Sequence, residues 1–289
     1  MIQKLFNISG MIDKYRLEII ESIKAAADQL SIPFFIVGAT ARDIILEFIY
    51  NKKVFRATSD IDFGVNVNDW GSFNNLISLL TKENKFVRNK NIGHRLLFKE
   101  VYPVDIVPFG KIASKEGIFE WPNENKAFTV LGFEEAYKNS DLVKVRNNPE
   151  VIVNLATAHS LAVLKIISWN ERYPERLRDA SDLLLIIESY LEAGNQERLF
   201  EEEEDLVDNN FNFTIAGARL LGRDIAKSFN EITLIFVLDI LEKETGEKLK
   251  YRLVEDMLKT KIMKEDSDFE FFLKILDSLK SGIQERYKK

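Results

Sequence analysis

Hydrophobic positions recur along the chain at two different periods, and the change falls near Pro149. Leu17, Ile20, Ile23, Ala27 and Leu30 lie three and four apart, which predicts an amphipathic helix over residues 13–30. The apolar run Pro33 to Val37 reads as a buried strand ending on Gly38. A helix is expected to open there, with Ile44, Ile45, Phe48 and Ile49 on one face and Thr40 and Asp43 as its capping box. Ser59 to Val67 predicts a strand and Trp70 to Leu80 a helix. Residues 95–99 and 102–107 predict a hairpin around Glu100, and two more strands are expected near Phe128–Leu131 and Leu142–Val145. From Pro149 onward only helical periodicity remains, over residues 151–169, 177–191, 196–207, 215–229, 231–245, 250–261 and 269–287, with a break at Tyr173-Pro174. The expected fold class is α+β: a mixed sheet with flanking helices in residues 1–148, then a helical bundle in residues 149–289.

Composition narrows the chemistry. Of 289 residues none is cysteine and two are histidine, His94 and His159, which removes disulfides, thiolate nucleophiles and cysteine or multi-histidine metal sites. Any metal must be held by oxygen, and both histidines read as structural. The longest apolar runs, Ile32 to Ala41 and Leu183 to Ile187, fall short of the roughly 20 residues of a membrane span, so a soluble cytoplasmic protein with no membrane partner is expected. The net charge of −6 divides unevenly: 20 basic against 19 acidic residues up to position 150, and 20 against 27 beyond it. A strongly basic nucleic-acid footprint is therefore absent. The run Glu201 to Asp205 reads as a solvated face.

Three embedded acids carry the candidate chemistry. Asp60 and Asp62 are two apart in a strand and so project from one face, with Ile61 and Phe63 on the other. Adjacent anions repel, and a divalent cation with hard oxygen ligands compensates them; Mg²⁺ commonly completes its shell with phosphate oxygens. The Gly38-Ala39-Thr40 turn, at the start of a helix, suits a phosphate. Asp105 is a third acid, set among aliphatics in Val104-Asp105-Ile106-Val107, where an unpaired carboxylate is costly. Two compensations are open: a salt bridge to Arg95, or convergence with Asp60 and Asp62 on a pair of metal ions. Asp179 and Asp182 share a helix face and have Arg176 and Arg178 as alternative ion-pair partners.

Taken together, Gly38-Ala39-Thr40, Asp60-Ile61-Asp62-Phe63 and Val104-Asp105-Ile106 resemble the pattern of the nucleotidyltransferase (polymerase-beta-like) superfamily. The longer strings Arg56 to Phe63 and Val104 to Gly110 look like its AbiEii-like branch, which includes toxins of toxin–antitoxin systems. Leu164-Lys165-Ile166, Trp169, Arg172 and Arg178 to Leu184 are similar to that branch's helical motif, with Arg178 where lysine is common and Gly-Ala-Thr in place of Gly-Gly-Ser or Gly-Gly-Thr. The matched motifs span residues 36–187. The resemblance implies Mg²⁺-dependent transfer of NMP from an NTP to an acceptor hydroxyl of an RNA such as tRNA, or of a protein. It implies a two-ion site that Mn²⁺ can also fill, and a cognate antitoxin as partner. Asp60, Asp62 and Asp105 are then the metal ligands, and with Lys165 the catalytic set. Gly38, Ala39, Thr40, Ser59, Lys165, Asp179 and Asp182 are the nucleotide-binding residues, with Lys165 expected to share a cleft with Asp60. Two alternatives stand beside this reading. Ile36 to Asp43 also looks like the opening of the CCA-adding and poly(A) polymerase class, and the same fold can serve as a noncatalytic interaction module.

Overall fold

The side chain of Asp13 accepts from the amides of Tyr15 and Arg16 and starts helix α1 (Lys14–Leu30), whose buried face carries Ile19, Ile20, Ile23, Ala26 and Ala27. The structure, a computed structural model, describes residues 3–54, 60–82, 85–89, 92–122, 127–207, 211–246, 250–259 and 266–287. The chain divides into two units, residues 1–157 and 158–289.

In the first unit the remaining elements are β1 (Leu5–Asn7), β2 (Phe34–Val37), α2 (Gly38–Asp43), β3 (Ile61–Asn66), α3 (Trp70–Thr81), β4 (Phe86–Arg88), β5 (Arg95–Phe98), β6 (Tyr102–Phe109), β7 (Ile118–Glu120), β8 (Ala127–Thr129), α4 (Phe133–Lys138), β9 (Asp141–Arg146) and β10 (Val151–Leu155). Eight strands form one mixed sheet in the order β1-β9-β10-β2-β3-β6-β5-β4, and β7 pairs with β8 apart from it. The centre is apolar: β2 is buried along its whole length, and Phe35 packs against the rings of Phe109, Phe133 and Tyr137.

Three local expectations are corrected here. Residues 151–155 are not the start of a helix; Val151, Val153 and Leu155 are buried and alternate with half-exposed Ile152 and Asn154, the period of a strand. That strand pairs antiparallel with β9 and parallel with β2, so the first unit runs on to Thr157. Thr40 and Asp43 do not form a capping box, since α2 has Val37 at its N-cap and no side-chain cap bond. The Thr40 hydroxyl donates instead to the Asp60 carbonyl at 2.8 Å, and Asp43 accepts from Arg42 Nε at 2.8 Å in a buried pair. Finally, residues 44–49, apolar but for Glu47 and continuous with α2, wind as a π-helix.

The second unit is helical: α5 (Ala158–Glu171), α6 (Leu177–Ser189), α7 (Gln196–Glu201), α8 (Phe213–Ser228), α9 (Glu231–Thr245), α10 (Arg252–Leu258) and α11 (Asp266–Tyr287). Helices α8 and α11 approach backbone to backbone, because a Cβ at Gly282 would lie 2.0 Å from the Arg219 carbonyl oxygen and one at Gly222 2.2 Å from that of Leu279. The acidic run is not a uniformly solvated face. Glu203 is buried and ion-paired to Arg223, which also holds Asp205 and Glu285, while Asp224 accepts two bonds from Arg198 at 2.8 Å. Hydrogen-bonded carboxylates hold the guanidinium pKa of both Arg198 and Arg223 above its usual range against their burial. Without these arginines the buried carboxylates keep weaker partners, Lys227 for Glu203 and the Tyr190 hydroxyl for Asp224.

Candidate functional site

Sheet register builds the site in one row. Val37 is level with Asp62 in the antiparallel β2/β3 pair, Asp62 with Asp105 in the parallel β3/β6 pair, and Asp105 with Arg95 in the antiparallel β5/β6 pair. Residues level with one another across neighbouring strands project from the same face, so Asp62, Asp105 and Arg95 converge. Ile61 and Phe63 face the core, as the alternation predicts. Asp60 lies one residue before β3, tied to α2 through the Thr40 hydroxyl. Carboxylate oxygens of Asp60, Asp62 and Asp105 all lie within 4.8 Å of one another. An all-oxygen, all-anionic donor set this close fits a hard divalent cation.

Gly38 shapes the site from the other side. Its φ is +69°, a conformation that costs an L side chain strain, and a Cβ there would stand 1.9 Å from Asp62 Oδ2. The glycine therefore leaves the room that the Asp62 carboxylate occupies. Ala39 and Thr40 follow in the first turn of α2, and Ser59 lies outside the described residues.

Two basic residues border the acids. Arg95 Nε and Nη2 donate to the two Asp105 oxygens at 2.6 and 2.7 Å, and Nη2 is also 3.5 Å from Asp60 Oδ2. The hydrogen bonds to Asp105 raise the Arg95 pKa against the burial that lowers it. The salt bridge weighed for Asp105 is thus present together with the convergence of the acids. His94, read from the sequence as structural, lies beside the third acid. Its Nε2 stands 3.7 Å from Asp105 Oδ2, and its ring lies 5.8 Å from those of Trp121 and Phe128. Among the described residues the buried indole N–H of Trp121 has no hydrogen-bond partner.

In the second unit, Lys165 is not an unpaired cation. Its ammonium donates to Asp179 Oδ1 at 2.7 Å and Asp182 Oδ2 at 2.6 Å, both carboxylates being buried. Burial pushes the lysine pKa down, and the two carboxylates more than offset it, leaving the pKa raised. Among the described residues Asp179 Oδ2 has no hydrogen-bond partner, and it stands 3.8 Å from Arg176 Nη1, so the arginine pairing considered from the sequence is a secondary contact. His159 is structural, as expected: it is buried beside the Ser228 hydroxyl at 3.1 Å, and burial lowers its pKa to about 4.

Comparison with protein-family profiles finds no match, and no curated protein matches the chain. Among solved structures, the chain is similar to ANT(2'')-Ia in complex with adenylyl-2''-tobramycin, with 15% identity, coverage of 64% of this chain and 99% of that one, and a TM-score of 0.36. It is also similar to the Thermotoga maritima CCA-adding enzyme complexed with tRNA, with 13% identity, coverage of 96% and 82%, and a TM-score of 0.25. Both of those proteins are nucleotidyltransferases. The likenesses are distant, and the chemistry of this chain is read from its own side chains. Among the described residues no helix is long and apolar enough to cross a membrane.

Proposed function

We propose that the protein is a divalent-cation-dependent nucleotidyltransferase, using Mg²⁺ or Mn²⁺ to move NMP from an NTP to an acceptor hydroxyl with release of pyrophosphate. The observation that carries the reading is the meeting of Asp60, Asp62 and Asp105 oxygens within 4.8 Å, beside a glycine turn that makes room for Asp62. These three carboxylates would hold the ion, whose chemistry is to neutralise phosphate charge and acidify the attacking hydroxyl. The acceptor oxygen bonds to the α-phosphorus as the bond to the β-phosphate oxygen breaks, and that electron pair leaves with pyrophosphate. The acceptor proton passes to the Asp105 carboxylate, which keeps lone pairs beyond the two Arg95 bonds. Gly38 and Ala39 are assigned to the phosphates together with Ser59, and Thr40 acts by fixing the Asp60 backbone. Lys165, Asp179 and Asp182 are assigned to nucleotide binding on the motif resemblance; among the described residues Lys165 commits two of its three N–H donors, both to the acids.

On the same resemblance the acceptor is an RNA such as tRNA, or a protein, and the protein acts as the toxin of a toxin–antitoxin pair. The test is transfer of label from each α-³²P NTP to total tRNA and to total protein with Mg²⁺ or Mn²⁺. Wild type is expected to label one acceptor class, and Asp60→Asn and Asp62→Asn none while melting at or above the wild-type temperature, because removing one of three clustered like charges relieves repulsion. Labelling by Asp62→Asn at the wild-type rate overturns the assignment.

A further inference from the structure

We infer that Arg95 is a built-in cation of the acid cluster, standing where a second metal ion would otherwise be needed, so that Asp60, Asp62 and Asp105 take up a single divalent ion. The inference rests on the reading of those acids as a cation site. Its own observation is the guanidinium, which grips both Asp105 oxygens at 2.6 and 2.7 Å and reaches to 3.5 Å from Asp60, so that it bridges two of the three acids. The placement is built by the fold, because Arg95 is level with Asp105 in the β5/β6 ladder and its side chain is mostly buried, at 25% exposure. A bidentate arginine–carboxylate pair is planar and directional, and arginine keeps its charge at any working pH. Arg95 therefore remains charged when a metal ion arrives and repels it.

Two roles for Arg95 predict opposite signs. If it serves only to position Asp105, its loss disorders a ligand and weakens metal binding. If it acts as a resident cation, replacing it with a neutral side chain strengthens binding. A unit charge about 4 Å from a divalent ion changes the ion's affinity on the order of thirtyfold even at the dielectric constant of water. The experiment is Mn²⁺ binding to the full chain, followed by electron paramagnetic resonance of the free ion without nucleotide, for wild type, Arg95→Gln, Arg95→Lys and Asp62→Asn, with circular dichroism melts on each. Wild type is expected to bind one Mn²⁺, Arg95→Gln to bind it at least tenfold more tightly, and Arg95→Lys, which keeps the charge, to stay within threefold of wild type. Asp62→Asn is expected to lose the ion. An Arg95→Gln affinity weaker than wild type, or less than tenfold tighter, overturns the inference, as does uptake of two ions by wild type. If neither wild type nor Arg95→Gln binds Mn²⁺, the cation site itself fails; if both bind it equally and Asp62→Asn does not, the site stands and the role of Arg95 alone is refuted. Should Arg95→Gln melt as an unfolded chain, the Arg95→Lys and wild-type stoichiometries still decide, since two ions in either refutes the single-ion site.

Discussion

Replacing Gly38 with alanine adds one methyl group at the point where backbone conformation and site geometry meet. At φ +69° the new side chain sits in the left-handed region, which costs about 1–2 kcal/mol. Its Cβ would also lie 1.9 Å from Asp62 Oδ2, 2.7 Å from Asp62 Cγ and 3.0 Å from Asp62 Cβ, against 3.4 Å or more for an ordinary contact. The carboxylate must move by about 1.5 Å, and since Asp62 Cβ is fixed by its strand, the movement is a χ1 rotation that carries the oxygen out of the cluster. Two readouts follow. Thermal unfolding should fall by roughly 2–8 °C, on the scale of about 2–4 °C per kcal/mol for a unit of this size. Mn²⁺ affinity should fall at least tenfold, because one of the three proposed ligands is displaced. A double-mutant cycle with Asp62→Ala separates the two contributions: the backbone strain persists in that background and the carboxylate clash does not, so Gly38→Ala should cost less stability there than in wild type. Equal cost in both backgrounds, or an unchanged Mn²⁺ affinity, would refute the argument that Gly38 is glycine to make room for Asp62.

Two further outcomes test the second unit. Lys165→Met leaves Asp179 and Asp182 buried without their ammonium and should cost about 3–5 kcal/mol in urea unfolding, part of which returns when both acids are changed to asparagine; a variant as stable as wild type would mean the triad is not buried in solution. His159 is held neutral by burial, with Asp224 opposing the shift and Arg198 adding to it, so its pKa of about 4 lies below the 6.5 of the unfolded chain. The unfolded state takes up the proton first as pH falls, so this contribution to stability is complete above pH 6.5 and lost between 6.5 and 4, amounting to about 2 kcal/mol between pH 7 and 5. His159→Gln should remove that part of the pH dependence, and equal slopes for both proteins would contradict it.

Helices in both units were legible where their apolar spacing is a local property: α1, α3, α8, α9 and α11 fall within three residues of the expected bounds, while α4 was not expected. Where three-residue spacings and alternation compete, the sequence misleads. Val151 to Leu155 lies next to a true helix and shares its apolar content, and only the pairing with β9 and β2 decides that it is a strand. Thr40 and Asp43 have capping-box spacing, yet tertiary partners, the Asp60 carbonyl and the Arg42 guanidinium, take both side chains. Glu203 gives no local sign of burial, because Arg223, which neutralises it, lies twenty residues on in α8.

The candidate site divides along the same line. That Asp60 and Asp62 act together is a local inference from a strand period, but their meeting with Asp105 requires β3 and β6 to be parallel and in one particular register, and the sequence carries no marker of that. The Arg95–Asp105 pair is different. A hairpin centred on Glu100 makes partners of residues equally far on either side, so Phe98 pairs with Tyr102 and Arg95 with Asp105. Lys99 and Glu100 turn with left-handed backbones, at φ 50° and 61°, which fixes that centre. Once the hairpin is placed, the arginine is obliged to stand level with the third acid whatever the rest of the sheet does. The cation beside the cluster is therefore set by the most local contact in the site, and the meeting of Asp62 with Asp105 by a less local one, so the β5/β6 hairpin can hold Arg95 against Asp105 before β3 delivers Asp62 to them.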